Sequence, residues 1–267
     1  MRRRTRHLVL AVAAAAALAG AVGLQLRHER TALPGPLTAL NAAGITEVTV
    51  RCRGCDTRRF ERVDGRWWMR EPYDLPADPA AVDGLLAIAA TPVRTWYHEG
   101  DLDLSRLGLD PPLIELQLDA HAIRVGTTDA IDSDRYIAVG NTVARARDRF
   151  SPRLLAVAET ELERHLVPQD GNPLTVSLSV AGTVHAGAAG AWAQAQALHI
   201  EKAAEGFQPP ASAIEATLVL AGGTPLSYRL LRQGNAYLAL RDAPALIYVL
   251  DQATLVALLP EGVALPQ

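Results

Sequence analysis

The only two cysteines of this 267-residue chain, Cys52 and Cys55, stand at C-x-x-C spacing in the stretch TVRCRGCDTRRF. That spacing serves a redox dithiol, half of a tetrahedral zinc site, or a structural staple. A redox pair opens a helix, whose N-terminal dipole lowers the thiolate pKa; here the residues that follow, DTRRFERV, have strand character. Zinc needs four ligands, and neither a second C-x-x-C nor a His pair at ligand spacing occurs. The pair therefore reads as a disulfide pinning a hairpin tip. So short a loop contributes about 2 kcal/mol on the chain-entropy model.

The other chemistry-bearing clusters are weaker. Asp129, Asp132 and Asp134 form the densest carboxylate group, but DAIDSDRYIAVG lacks the alternating register, central glycine and closing glutamate of a calcium loop. It reads as a solvated hairpin loop. His98, Glu99, Asp101 and Asp103 fall in a glycine-containing connector that reads as surface. The remaining histidines are scattered singly, and no G-x-S-x-G elbow or phosphate-binding loop is present. No catalytic residue, cofactor site or metal site is expected, and the chain does not read as an enzyme.

The elements that would carry these residues can be read in order. ITEVTVRC alternates like a strand from Ile45. TRRFERV and RWWMR give two more strands, joined by the Asp64-Gly65 turn. Adjacent Trp67 and Trp68 must point to opposite faces. Asp78 and Pro79 open a helix whose apolar face is Val82, Leu85, Leu86 and Ala89, closed by Thr91-Pro92. A four-strand meander follows over 113–118, 121–125, 134–139 and 142–147. Then SPRLLAVAETELERHL predicts a helix with Ser151 as N-cap and Pro152 at the first helical position.

The second half repeats the plan. GLDPP at 108–112 returns as GFQPP at 206–210, and Ile114-Glu115-x-x-Leu118 as Ile214-Glu215-x-x-Leu218. Tyr136 matches Tyr237, and Ser151 with Leu155 lines up with Asp251 and Leu255. Gly65-x-Trp67 is echoed by Gly190-x-Trp192, so the second copy is expected to lack the region of the 78–91 helix. The fold class expected is α+β. It comprises two tandem, degenerate repeats of antiparallel meander plus helix, over 45–168 and 169–267, behind one N-terminal transmembrane helix.

That N-terminal segment is MRRRTRH followed by an uncharged run from Leu8 to Leu26. As a helix the run is about 28 Å long, close to the roughly 30 Å of a bilayer core. Residues 1–30 read as a retained signal anchor, and the Ala17-Leu18-Ala19 site allows a cleaved signal peptide as the alternative. Arg2, Arg3, Arg4 and Arg6 would hold the N-terminus in the cytoplasm, leaving the domain in an oxidising space behind a Pro/Gly-bearing linker, 31–44. Beyond residue 30 the chain holds 20 Lys+Arg against 28 Asp+Glu. That balance argues against nucleic acid as a partner.

Five motifs in order, from FERVDGRWWMREPYDLPADP through DLSRLGLDPPLIELQL to IRVGTTDAIDSDRYIAVG, resemble a bacterial family known as domain of unknown function 4340 (DUF4340). The resemblance covers roughly residues 58–160. It implies a single-pass bacterial inner-membrane protein with its C-terminal domain in the periplasm. Such a protein would work as an accessory or scaffold with an ABC-type export permease or an auxiliary component of it. The alternative expectation is a periplasmic module that binds a solute, lipid or glycan between its two units. Trp68, Tyr97, Tyr136 and Tyr237 are the candidate interaction surface.

Overall fold

The computed structural model describes residues 35–263 apart from 170, 181, 223 and 224, together with 18, 20, 21 and 265. Leu18, Gly20 and Ala21 are helical; the rest of the Leu8–Leu26 run lies outside the described residues. Among the described residues no helix is long and apolar enough to cross a membrane.

Two antiparallel sheets make up most of the regular structure among the described residues. The first contains β1 (Glu47–Cys52), β2 (Arg58–Val63), β3 (Arg66–Glu71), β4 (Leu75–Pro76), β5 (Val93–His98), β6 (Ile114–Leu118), β7 (His121–Thr128), β8 (Asp134–Val139) and β9 (Thr142–Arg147). Its order is β4-β3-β2-β1-β6-β7-β8-β9-β5. The second contains β10 (Pro173–Val180), β11 (Thr183–Ala186), β12 (His199–Lys202), β13 (Ile214–Leu220), β14 (Leu226–Gln233), β15 (Ala236–Arg241) and β16 (Leu246–Leu250). Its order is β11-β10-β13-β14-β15-β16-β12. The second order is the first from β2 onward, strand for strand, so the two sheets share one topology.

The helices are few and short. In α1 (Pro79–Leu86) the Asp78 carboxylate accepts the Ala80 N–H and Val82, Leu85 and Leu86 are buried, as expected. In α4 (Gln252–Leu258) Asp251 accepts the Thr254 N–H at 2.7 Å. The helix expected from Ser151 is a single turn, α2 (Ser151–Leu154), and a 3-10 turn follows at Ala158–Glu161. Ser151 is not its cap: Asp148 accepts the Phe150 and Ser151 N–H groups at 3.3 and 3.0 Å. Leu154, Ala158, Leu162 and Leu166 are all buried. Their four-residue spacing imitates a helical stripe, while the chain satisfies it with a turn, a 3-10 turn and an extended segment.

The Gly-x-Trp echo is also corrected. Trp67 lies on β3, whereas Trp192 lies on α3 (Ala189–Gln194). What the second copy lacks is the β3–β4 pair; it keeps a short helix before the strand that pairs last. Trp192 is fully buried against Tyr228, centroids 5.9 Å apart, and Tyr228 meets Tyr248 edge-on at 5.7 Å.

One hydrophobic core runs through both units, from Leu37, Phe60 and Met69 to Trp192, Tyr228 and Leu258. The 31–44 stretch joins it from Gly35 on: Leu37 is buried and donates its N–H to Thr91 O at 2.9 Å. Each sheet also has a small outer cluster, roofed by the connector that carries the duplicated motif. After Gly108 (φ 65°), Leu109 plugs the outer face of β8 and β9; after Gly206 (φ 75°), Phe207 packs on the outer face of β14–β16.

Candidate functional site

The site begins with the segment that joins the two units. Residues 161–166 leave the 3-10 turn and run extended from Leu162, as a strap hydrogen-bonded on both sides. Toward the first unit, Asp78 N–H donates to Glu161 O (2.8 Å) and Glu163 N–H to Pro76 O (2.9 Å). Toward the second, Leu166 N–H donates to Ala195 O (3.1 Å) and Ala197 N–H to Arg164 O (2.8 Å). The strap therefore covers the β4 edge of the first sheet and fastens it to the residues that lead into β12.

Beside the strap is a cleft of about 410 Å³, within the usual range of small-molecule sites. Three elements supply its charges. The β2–β3 hairpin gives Arg62 and Arg66, the start of α1 gives Asp78 and Asp83, and the strap gives Glu163 and Arg164; Gln196 of the second unit closes one end. Within it, Arg66 pairs with Glu163 at 3.3 Å, and His165 Nδ1 approaches the other Glu163 oxygen at 3.1 Å. The Arg62 guanidinium stacks on Trp67, 4.8 Å from the ring centroid, and donates to Ala43 O at 3.0 Å. Arg164 donates to Leu198 O at 3.1 Å. Trp67 lines the cleft with its indole N–H buried and unbonded among the described residues. The cleft thus presents charged and neutral donors together with carboxylate acceptors.

The strap's other face holds a buried ion pair. Arg58 on β2 reaches Glu161 at 2.5 Å and donates to the carbonyls of Arg153 and Leu154, both side chains almost fully buried. Burial pushes the Glu161 carboxyl above its ordinary value, although the Arg58 charge and hydrogen bond oppose this. Tyr73 donates to Glu159 close by, and burial followed by that bond raises its phenol pKa.

Cys52 and Cys55 are disulfide-bonded between β1 and β2, with Cα atoms 5.5 Å apart. Of the four aromatic candidates, Tyr97 and Tyr136 come together on the outer face of β8–β9–β5 around Leu109. Trp68 faces outward on β3 at the other end of that sheet, under Arg70 at 5.4 Å. Tyr237 packs on the main core with Arg232 at 5.8 Å. They do not form one surface. Trp96, 44% exposed on β5, was not read from the sequence because β5 lacks an apolar alternation.

The acidic loop is not simply solvated. Asp134 is fully buried, with Arg94 at 3.3 Å, and Arg145 also reaches Asp132 at 3.4 Å. The Asp129 carboxyl is held below its usual range by the Asp132 N–H, the Ile131 N–H and the Tyr136 hydroxyl. Among the described residues no group of three or more His, Cys, Asp or Glu could hold a metal ion.

The model of a domain of unknown function, DUF4340, matches residues 67–205, which is half of the chain. The chain belongs to the DUF4340 family. The match runs from β3 of the first unit through the strap to the end of β12, so both walls of the cleft and the strap between them lie within it, apart from Arg62, Gly65 and Arg66 of the hairpin. It reaches further into the second unit of this DUF4340 chain than the motifs at 58–160 do. No curated protein and no solved structure matches it.

Proposed function

We propose that this DUF4340 chain is a membrane-anchored periplasmic accessory or scaffolding protein that docks onto an inner-membrane component of an ABC-type export system. The observation that carries the docking reading is the condition of one sheet edge. In the first unit, β2 is covered by β3. In the second unit the equivalent strand, β11, ends the sheet.

Gly187 N–H donates inward to Val176 O at 2.8 Å, so by alternation Val184 and Ala186 turn their backbone groups outward. Natural edge strands are normally protected by charge, proline, a bulge or a covering segment. On that face β11 and its neighbours carry Val184, Ala186, Ser177, Ser179, Thr175, Thr217 and Val219, with Val184 70% exposed, and the first charged group, Glu215, stands two strands in, on β13. The equivalent face of the first unit is laced with ion pairs, among them Arg51–Glu115 at 3.1 Å and Arg59–Glu71 at 3.0 Å. An edge strand with no Asp, Glu, Lys or Arg of its own, unpaired among the described residues, accepts an extended partner strand by main-chain pairing.

A photo-crosslinking residue at position 184 of the full chain, activated in intact cells, tests this. The expected adduct is with an ABC-type permease or auxiliary component, and Val184→Lys should abolish co-purification of that partner. Monomeric, adduct-free protein from cells that contain the export system would overturn the reading.

A further inference from the structure

We infer that the cleft beside the strap is a binding site for a zwitterionic ligand of the free amino acid or short peptide class. The inference is independent of the docking edge, which lies on β11.

It rests on how charge is distributed and satisfied in the cleft. Arg66 and Glu163 neutralise each other at 3.3 Å. That leaves two cations, Arg62 and Arg164, whose polar partners are backbone carbonyls, Ala43 O and Leu198 O. It also leaves two carboxylates on α1. Asp78 accepts one backbone N–H at the helix cap, and Asp83 has no hydrogen-bond or ion-pair partner among the described residues. Cations and anions thus come from different elements around one space, each without a countercharge of its own.

A ligand with a single charge would satisfy one set and repel the other. A molecule carrying an ammonium and a carboxylate satisfies both: the ammonium at Asp83 and Asp78, the carboxylate at Arg62 and Arg164, the latter as charge-assisted hydrogen bonds. Between those ends the cleft offers the groups an amide needs. The Gln169 and Gln196 side chains line it, and the Trp67 indole N–H beside it is a buried donor with no acceptor among the described residues. A volume of 410 Å³ equals roughly fourteen waters at about 30 Å³ each, enough for a di- or tripeptide. Because Gln196 belongs to the second unit and the arginines and aspartates to the first unit and the strap, the ligand would touch both units.

The test is isothermal titration of the full chain in detergent with triglycine, against N-acetyl-triglycine amide, which keeps the amides and removes both charges. Triglycine is expected to bind, with the capped peptide at least about tenfold weaker. Asp83→Asn, an exposed change on α1, should weaken triglycine at least about fivefold without moving the melting temperature. The inference is overturned by any one of three results: no triglycine heat up to about 10 mM, equal affinity for the capped peptide, or an Asp83→Asn variant that binds triglycine as the parent does. Crosslinking at position 184 is unaffected by any of these outcomes, so failure of the cleft and failure of the edge are told apart.

Discussion

Arg58 and Glu161 concentrate more electrostatic cost in one place than any other pair in the described residues. Both are buried, and Arg58 Nε and Glu161 Oε2 have no hydrogen-bond partner. Removing one partner strands the other charge, so Arg58→Met is expected to lower unfolding free energy by about 3–5 kcal/mol at neutral pH, measured by denaturant titration. The pH dependence has a definite sign. Burial raises the folded-state pKa of Glu161 above its ordinary 4.5. Its contribution to stability is therefore fully present below that value and is lost as pH rises through the folded pKa. Glu161→Gln removes this titration. The stability difference, variant minus parent, should grow in the variant's favour as pH is raised above 4.5; a difference that is flat or shrinks over that window refutes the assignment. None of this was legible in the sequence. Arg58 lies in a run of strand arginines and Glu161 in an apparent helix, and nothing in either local pattern says that they meet.

At the scale of elements, the roof over the outer face of the first sheet depends on close backbone approach. Gly126 on β7 lies under the connector, and a Cβ there would stand 2.2 Å from Leu107 O and 3.0 Å from the Leu109 side chain. Carbonyl oxygen cannot rotate away as a flexible side chain can. Gly126→Ala should therefore cost about 1–3 kcal/mol, seen as a lowered melting temperature and earlier hydrogen exchange at Thr127, whose N–H donates to Leu107 O. An unchanged melting temperature would mean that the connector lifts freely.

Much at this scale was readable. Alternation located the meander strands, Asp64-Gly65 the tight turn, and Asp78-Pro79 the start of α1, because each signal is local and none competes with a tertiary demand. The strap and β5 were not. The strap's buried residues fall at helical spacing although its backbone is used to bond two neighbours. β5 is half-buried at a sheet edge, which leaves no strong apolar period. The offset of 100 between β6 and β13 pointed to the shared strand order, but a Gly-x-Trp coincidence misplaced where the two units differ. The cleft was invisible because its residues come from positions 62–83, 163–169 and 196.

The molecule as a whole is held by one core that includes residues of both sheets. Tyr228 of β14 donates its hydroxyl to Leu166 O on the strap. Units that share side chains in this way should melt together. Calorimetry of the chain is expected to show a single transition whose calorimetric and van't Hoff enthalpies agree; two resolved transitions would show that the strap is a hinge between independent folds.

The pairing of β5 with β9, and of β12 with β16, bears on how the chain is made. β5 ends at residue 98 and its partner begins at 142; β12 ends at 202 and its partner begins at 246. A ribosome or translocon delivering the chain from its N-terminus therefore releases each of these strands 43 residues before the strand it needs. In that interval β5 waits without β9, although β2, β3 and β4 can already pair with one another. Slow, non-local closure of this kind leaves strand edges open to other nascent chains. Emergence in two successive waves, one per unit, sets the two moments at which a holding chaperone would find the chain.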